Sequence, residues 1–153
     1  MIDPRWDQRF FALAQHIATW SKDPSTQVGA VIVDSQRRVL GLGYNGFPRG
    51  VEDLPERLSD KPTKYKLVVH AEANAILNAG VSLDNCVLFA TKSPCSDCVK
   101  LLIQAGIVGV VSPAPSLDEP WATDAAFSRL MLEEADIGWE HPQHGHVLSI
   151  VEG

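Results

Sequence analysis

His70 and Glu72, together with the run Pro94-Cys95-Ser96-Asp97-Cys98, carry the side chains best suited to chemistry in this chain. Imidazole nitrogen and thiolate sulfur are ligands that zinc favours. His70, Cys95 and Cys98 are therefore a candidate set for one Zn2+. Three protein ligands leave the fourth position of a tetrahedral zinc open, as in catalytic rather than structural sites. Zinc lowers the pKa of a coordinated water to ~7 and so supplies hydroxide at neutral pH. Glu72 is spaced to stand beside the metal without ligating it, where a carboxylate can take and return protons as general base and acid. The competing reading is a folding zinc with four ligands, the fourth drawn from Cys86 or a tail histidine. That reading gives no role to Glu72 or to Pro94.

Two helix starts must bring these residues together. Ala71 to Ala79 reads as a helix stopped by Gly80, with His70 and Glu72 in its first turn. Cys95 to Ala105 reads as a second, entered at Pro94-Cys95, because proline is tolerated at a helix start. Cysteines three apart share one helix face, and the helix N-terminus favours their thiolate forms. Around this pair, Trp6, Phe10, Leu13, Ala14 and Ile17 recur at helical spacing. Val28 to Val33 and Val39 to Tyr44 read as a hairpin across the turn Asp34 to Arg38. Cys86 to Ala90 and Val108 to Ser112 read as further strands, and Thr123 to Ala135 as a helix with Phe127, Leu130 and Met131 on its apolar face. A last short strand is expected around His146 to Val151. Val51 to Lys66 has no clear period and reads as a long loop, either bordering the site or simply solvated. Strands alternating with helices imply a layered α/β domain, with the whole of 1–153 as a single domain.

Composition narrows the partners. With a net charge of −6, and cations scattered apart from Arg57, Lys61, Lys64 and Lys66, the chain suits a small substrate better than a nucleic-acid polymer. No apolar run approaches the ~20 residues of a membrane span. Met1 to Trp6 lacks the basic and apolar segments of a signal peptide. Three cysteines, two of them in a C-x-x-C pair, suit metal binding in a reducing, cytoplasmic setting better than a disulfide framework. Cys86 lies in an apolar strand and reads as core. His141, His144 and His146 cluster without an accompanying cysteine or carboxylate pattern; a solvated tail or a substrate contact is the main reading, and a second metal the other. Trp121 and Trp139 read as packing residues, with Trp121 also a candidate for the pocket edge.

The H-x-E and P-C-x-x-C pair resembles the signature of zinc-dependent nucleobase deaminases. The segments Ser21-Lys22-Asp23-Pro24-Ser25-Thr26-Gln27-Val28-Gly29-Ala30, Gly43-Tyr44-Asn45-Gly46-Phe47-Pro48-Arg49-Gly50 and Lys64-Tyr65 extend that resemblance to deoxycytidylate (dCMP) deaminases. It covers roughly residues 6 to 111. The zinc motif is shared with cytidine, guanine and tRNA-adenosine deaminases, whereas the Ser-Lys-Asp-Pro and Tyr-Asn-Gly-Phe-Pro segments are more selective.

The resemblance implies a three-layer α/β/α cytidine deaminase-like fold with a mixed five-stranded sheet. It implies His70, Cys95 and Cys98 as ligands of one zinc, Glu72 as proton shuttle, and hydrolysis of dCMP to dUMP and ammonia. Among substrate contacts it points to Asn45 for a sugar hydroxyl, Val28 as a wall of the base pocket and the Ala71 N–H for the base carbonyl. Asn45-Gly46 is alternatively a plain turn. Lys22 with Ser21 is the candidate phosphate site, and Arg49 the alternative. The resemblance further implies a homo-oligomer, hexamer or dimer, regulated by dCTP and dTTP. The chain departs from the family pattern after residue 111, where Ser112 to Trp121 lacks the tyrosine that stands near the substrate phosphate in familiar members. The same chemistry on another nucleotide, nucleoside or base, and a noncatalytic zinc-stabilised nucleotide-binding module, are the alternatives.

Overall fold

A computed structural model describes residues 3–143 and the backbone of 145 and 146. Helix α1 (Pro4–Ala18) starts where the Asp3 carboxylate accepts the Arg5 N–H at 2.8 Å and Pro4 fills the first turn. Strands β1 (Gly29–Val33) and β2 (Val39–Tyr44) form the expected hairpin, closed by Asp34, which accepts the Gln36 and Arg38 N–H groups at 2.9 Å. Helices α2 (Pro55–Ser59), α3 (Lys61–Leu67) and α4 (Ala71–Ala79) follow, then β3 (Val87–Ala90), α5 (Ser96–Gln104), β4 (Gly109–Val111), α6 (Trp121–Glu134), β5 (Gly138–His141) and β6 (Gly145–His146). The strands lie in the order β2-β1-β3-β4-β5-β6. β1 is antiparallel to β2 and β3, whereas β3, β4 and β5 run parallel. The five-stranded mixed sheet is therefore present, and the short antiparallel β6 extends its edge.

Period-two alternation divides the core into two layers. Ala30, Ile32, Leu88, Val110 and Trp139 pack against α4, α5 and α6 through Ala71, Ala75, Val99, Leu102 and Leu132. Val31, Val33, Phe89 and Val111 pack against Phe10 and Ala14 of α1. Trp139 is buried and donates its indole N–H to Ser112 Oγ at 2.8 Å. Among the described residues no helix is long and apolar enough to cross a membrane.

Several expectations are corrected. The segment read as one long loop contains α2 and α3. Neither has an apolar stripe: α2 buries nothing and α3 buries only Lys64, so no period reaches the sequence. Their starts are local devices, Pro55 and Pro62 in the first turns and Asp60 accepting the Thr63 N–H. Strand β5 is absent from the sequence expectations, because Gly-Trp-Glu-His shows neither a β-branched run nor clean alternation. The tail strand is described only at Gly145–His146; positions 147–151 lie outside the described residues. Helix α6 packs Met131 on the core as expected, but it buries Ser128 and Leu132 and leaves Phe127 58% and Leu130 47% exposed.

Helix α4 lies directly on β2. A Cβ on Gly43 would stand 2.2 Å from the Ala71 carbonyl oxygen and 2.3 Å from the Ala75 nitrogen. Gly43→Ala is therefore expected to push α4 off the sheet. Overpacking against backbone costs about 3 kcal/mol, or a fall of roughly 6–12 °C in the thermal midpoint by calorimetry.

Asp7 is buried on the sheet-facing side of α1, 7% exposed, and its Oδ1 has no hydrogen-bond partner among the described residues. Burial, reinforced by the Glu140 carboxylate, raises its pKa from 3.8 to about 6. Folding thus favours the protonated form. The cost is absent below the unfolded value of 3.8, grows as pH rises through about 6, and is complete above it. Asp7→Asn is expected to stabilise the protein at pH 7.5 by on the order of 1–2 kcal/mol. The gain should fade towards pH 4 in thermal melts recorded across that range.

Candidate active site

Helices α4 and α5 present their N-termini to one another, and the candidate zinc ligands sit at those two ends. His70 is the N-cap of α4, in extended backbone, and makes no side-chain cap bond. The chain entering it is pinned by Val69 and Gly46, which exchange backbone hydrogen bonds of 2.8 and 3.1 Å. Cys95 is the N-cap of α5 and Cys98 lies in its first turn. Pro94 accordingly precedes the helix rather than opening it.

The donor atoms of His70, Cys95 and Cys98 all lie within 4.8 Å of one another. His70 Nδ1 is 3.5 Å from Cys95 Sγ and 3.4 Å from Cys98 Sγ. A tetrahedral ion with bonds of ~2.3 Å to sulfur and ~2.0–2.1 Å to nitrogen asks for S···N separations of about 3.5 Å. The residues present therefore fit zinc. Exposure is graded across the set, with His70 exposed, Cys95 intermediate and Cys98 buried, which leaves the imidazole side open to a ligand. Among the described residues no fourth histidine, cysteine or carboxylate joins this group. Cys86 is buried at the opposite end of β3 from Pro94, with its thiol directed at the Asp84 carbonyl 3.7 Å away. It packs in the core, and the four-ligand reading that used it is corrected. The side chains of His144 and His146 lie outside the described residues.

Glu72 is buried beside this set, with its Oε2 accepting from Cys98 Sγ at 3.4 Å. Burial holds its carboxyl well above the usual carboxylate range. Hydrogen bonding from Cys98, helped by His70, lowers the Cys95 thiol to about 4, while its bond to Cys95 and its burial push Cys98 up. The hydrogen bond to Cys95 raises His70. Without metal the thiols thus divide a proton between them, the state that a divalent cation displaces on binding.

Of the expected substrate contacts, Ser21, Val28 and Asn45 are joined in one hydrogen-bond network, and Lys22 and Ala71 stand apart from it. Asn45 is buried; its Oδ1 accepts the Val28 N–H at 2.8 Å and its Nδ2 donates to the Thr26 carbonyl at 2.9 Å. Ser21 is also buried and donates its hydroxyl to the Asn45 carbonyl at 2.9 Å. Lys22 is paired with Asp53 at 2.8 Å on the surface. The Ala71 side chain is fully buried, and its N–H belongs to the first turn of α4, whose amides lack intrahelical acceptors. Sequence reasoning missed the anchor of this network. Buried Lys64 of α3 is 3.1 Å from Asp23 Oδ2 and donates to Ser25 Oγ at 2.8 Å. Beyond its place in the Lys64-Tyr65 motif, it is a cation in a charged segment without apolar period, which reads as surface. A cleft of about 100 Å³ between these elements is lined by Lys22, Tyr44, Asn45, Asp53, Lys64 and other residues, so the 51–66 segment does border the Asn45 loop. The loop that lacks a tyrosine ends at Trp121, whose ring centroid is 5.7 Å from Lys92 Nζ.

Comparison with known proteins agrees with this geometry. The sequence model described as "Cytidine and deoxycytidylate deaminase zinc-binding region" matches residues 4–113. Deoxycytidylate deaminase of Homo sapiens is 39% identical over 138 residues, covering 86% of this chain and 76% of that one. A probable deoxycytidylate deaminase of Drosophila melanogaster is 43% identical over 152 residues, covering 91% and 72%. The crystal structure of dCMP deaminase from cyanophage S-TIM5 in complex with dCMP and dUMP superposes with a TM-score of 0.73 at 28% identity, over 92% of this chain and 99% of that one. With a matched zinc-binding region, close relatives and three convergent donor atoms, the chain belongs to the cytidine and deoxycytidylate deaminase family.

Proposed function

We propose that the chain, acting over 1–153 as one deaminase domain, is a zinc-dependent hydrolase that converts dCMP to dUMP and ammonia. The observation that carries this reading is Glu72, buried against Cys98 beside a three-donor set that fits zinc. The choice of dCMP is supported by the relatives named deoxycytidylate deaminase and by the phage enzyme solved with dCMP and dUMP.

His70, Cys95 and Cys98 would hold the zinc. When bound, zinc acidifies a water to a pKa of ~7 and so supplies the nucleophile for C4 of the cytosine ring. Glu72, buried beside these donors, would take the proton of that water as general base. It would pass this proton to the ring nitrogen beside C4, then take the remaining proton of the added hydroxyl and deliver it to the departing amino group, which leaves as ammonia. The Ala71 N–H, a first-turn amide of α4, would serve the base carbonyl. Asn45 holds Val28 in place as a wall of the base pocket through the bond to its N–H, besides any contact with the sugar hydroxyl. For the phosphate, Lys22 would have to exchange Asp53 for the ligand, and exposed Arg49, on the loop after β2, is the alternative cation.

The exposed Leu77, Val81, Leu101 and Val108 offer apolar faces for a homo-oligomer, hexamer or dimer, which light scattering would resolve. dCTP and dTTP are the effectors such an oligomer would take, and a reducing cytoplasm suits the free Cys86, Cys95 and Cys98.

Ammonia release from zinc-loaded protein should be measured on dCMP, CMP, deoxycytidine, cytosine and guanine. dCMP is expected to have the highest kcat/KM. Turnover of another member with dCMP untouched would refute the substrate assignment, and binding without turnover of any would support a noncatalytic module.

A further inference from the structure

We propose that Asp124 is a positioning residue of the metal centre, which with Ser128 clamps the backbone on both sides of Cys95. The proposal rests on the reading of His70, Cys95 and Cys98 as zinc ligands. Helix α5 begins without a cap of its own: its N-cap is Cys95, which makes no side-chain cap bond. The Ser96 N–H, one of the orphan amides of the first turn, takes its partner from elsewhere. Helix α6 supplies what is missing. Asp124 Oδ2 accepts the Ser96 N–H at 2.9 Å, and Oδ1 accepts the Ser96 hydroxyl at 2.5 Å. One helical turn later, Ser128, fully buried, donates its hydroxyl to the Pro94 carbonyl at 3.3 Å.

The peptide groups before and after Cys95 are thus each held by a side chain of α6, while the Cys95 sulfur faces His70 at 3.5 Å. This explains the unexpected orientation of α6. The row it turns inward is Asp124, Ser128 and Leu132, spaced at i, i+4 and i+8, and the cost is leaving Phe127 and Leu130 exposed. Packing alone would have favoured the apolar face. A polar pair in its place, aimed at the residues flanking one thiolate, is what orientation of that ligand requires, since partners behind metal ligands fix their geometry. Helix α6 lies beyond residues 4–113, so the clamp is built outside the stretch that matches the family's zinc-binding region.

An ordinary helix cap would affect stability and leave the metal alone. The test therefore reads the metal. Full-length wild type, Asp124→Ala, Asp124→Asn and Ser128→Ala should be titrated with Zn2+ against a chromophoric chelator. Each should also be loaded with Co2+ for its visible absorption spectrum. Asp124→Ala is expected to bind zinc 10–100-fold more weakly, with shifted or weakened Co2+ bands. Asp124→Asn retains one acceptor and should fall between it and wild type. Ser128→Ala should show a smaller loss. Zinc affinity of Asp124→Ala within twofold of wild type and a superimposable Co2+ spectrum would overturn the proposal, whatever happens to the melting temperature. Should Asp124→Ala not fold, Asp124→Asn decides in its place, and unchanged affinity there overturns the clamp. Failure of the wild type itself to bind zinc would instead remove the site reading, and the clamp with it.

Discussion

Glu72→Gln is expected to retain one zinc per chain and to lower turnover of dCMP by about 10²–10⁴-fold, the range that general acid–base catalysis contributes. Glutamine keeps the size and hydrogen-bonding reach of the side chain and removes its capacity to carry a proton. Glu72 is buried, and its carboxyl lies 3.4 Å from Cys98 Sγ without being one of the three donors. The ligands should therefore be undisturbed. Burial raises the proton affinity of the metal-free Glu72 carboxyl. Metal analysis and steady-state rates on the same preparation decide the matter. Loss of zinc with loss of activity would make Glu72 a ligand, and unchanged activity would remove it from the chemistry.

Cys98→Ala is expected to empty the site. The apparent binding free energy of a four-ligand zinc centre is ~10–16 kcal/mol, so each ligand carries roughly 2.5–4 kcal/mol, or about 10²–10³ in affinity. Cys98 is the most buried of the three donors and the one in contact with Glu72. Alanine there should leave Val99 and Leu102 packed in the core and the fold in place. Cys86→Ala is the matched control, since the Cys86 thiol is directed at the Asp84 carbonyl and is not one of the three donors, and it should keep full zinc occupancy. Equal zinc loss in both variants would contradict the three-donor site.

The elements that hold the chemistry could be read from the chain because each carried a local signal. Helix α4 has Gly80 in left-handed conformation at its end, β1 is a β-branched run buried along its whole length, and the Cys95–Cys98 spacing places two sulfurs near His70. What escaped reading depends on partners distant in sequence. Lys64 looks like a surface cation until Asp23, 41 residues away, is brought against it. Asn45 offers a free amide in sequence, but folding commits it to Val28 and Thr26. Phe127 and Leu130 promised an apolar face on α6, yet Asp124 and Ser128 face inward because Ser96 and Pro94 need partners. Strand β5 owes its place to Trp139 filling the layer beneath α6, a tertiary fact with no four-residue signature.

The central claim is that this chain hydrolyses the amino group of dCMP with a proton carried by Glu72. The most direct measurement is product analysis on zinc-loaded wild type with dCMP alone, quantifying dUMP and ammonia together, before and after removal of zinc by a chelator. The account predicts equimolar dUMP and ammonia, loss of both on chelation, and recovery when zinc is returned. Stable binding of dCMP to zinc-loaded protein without formation of either product would contradict it.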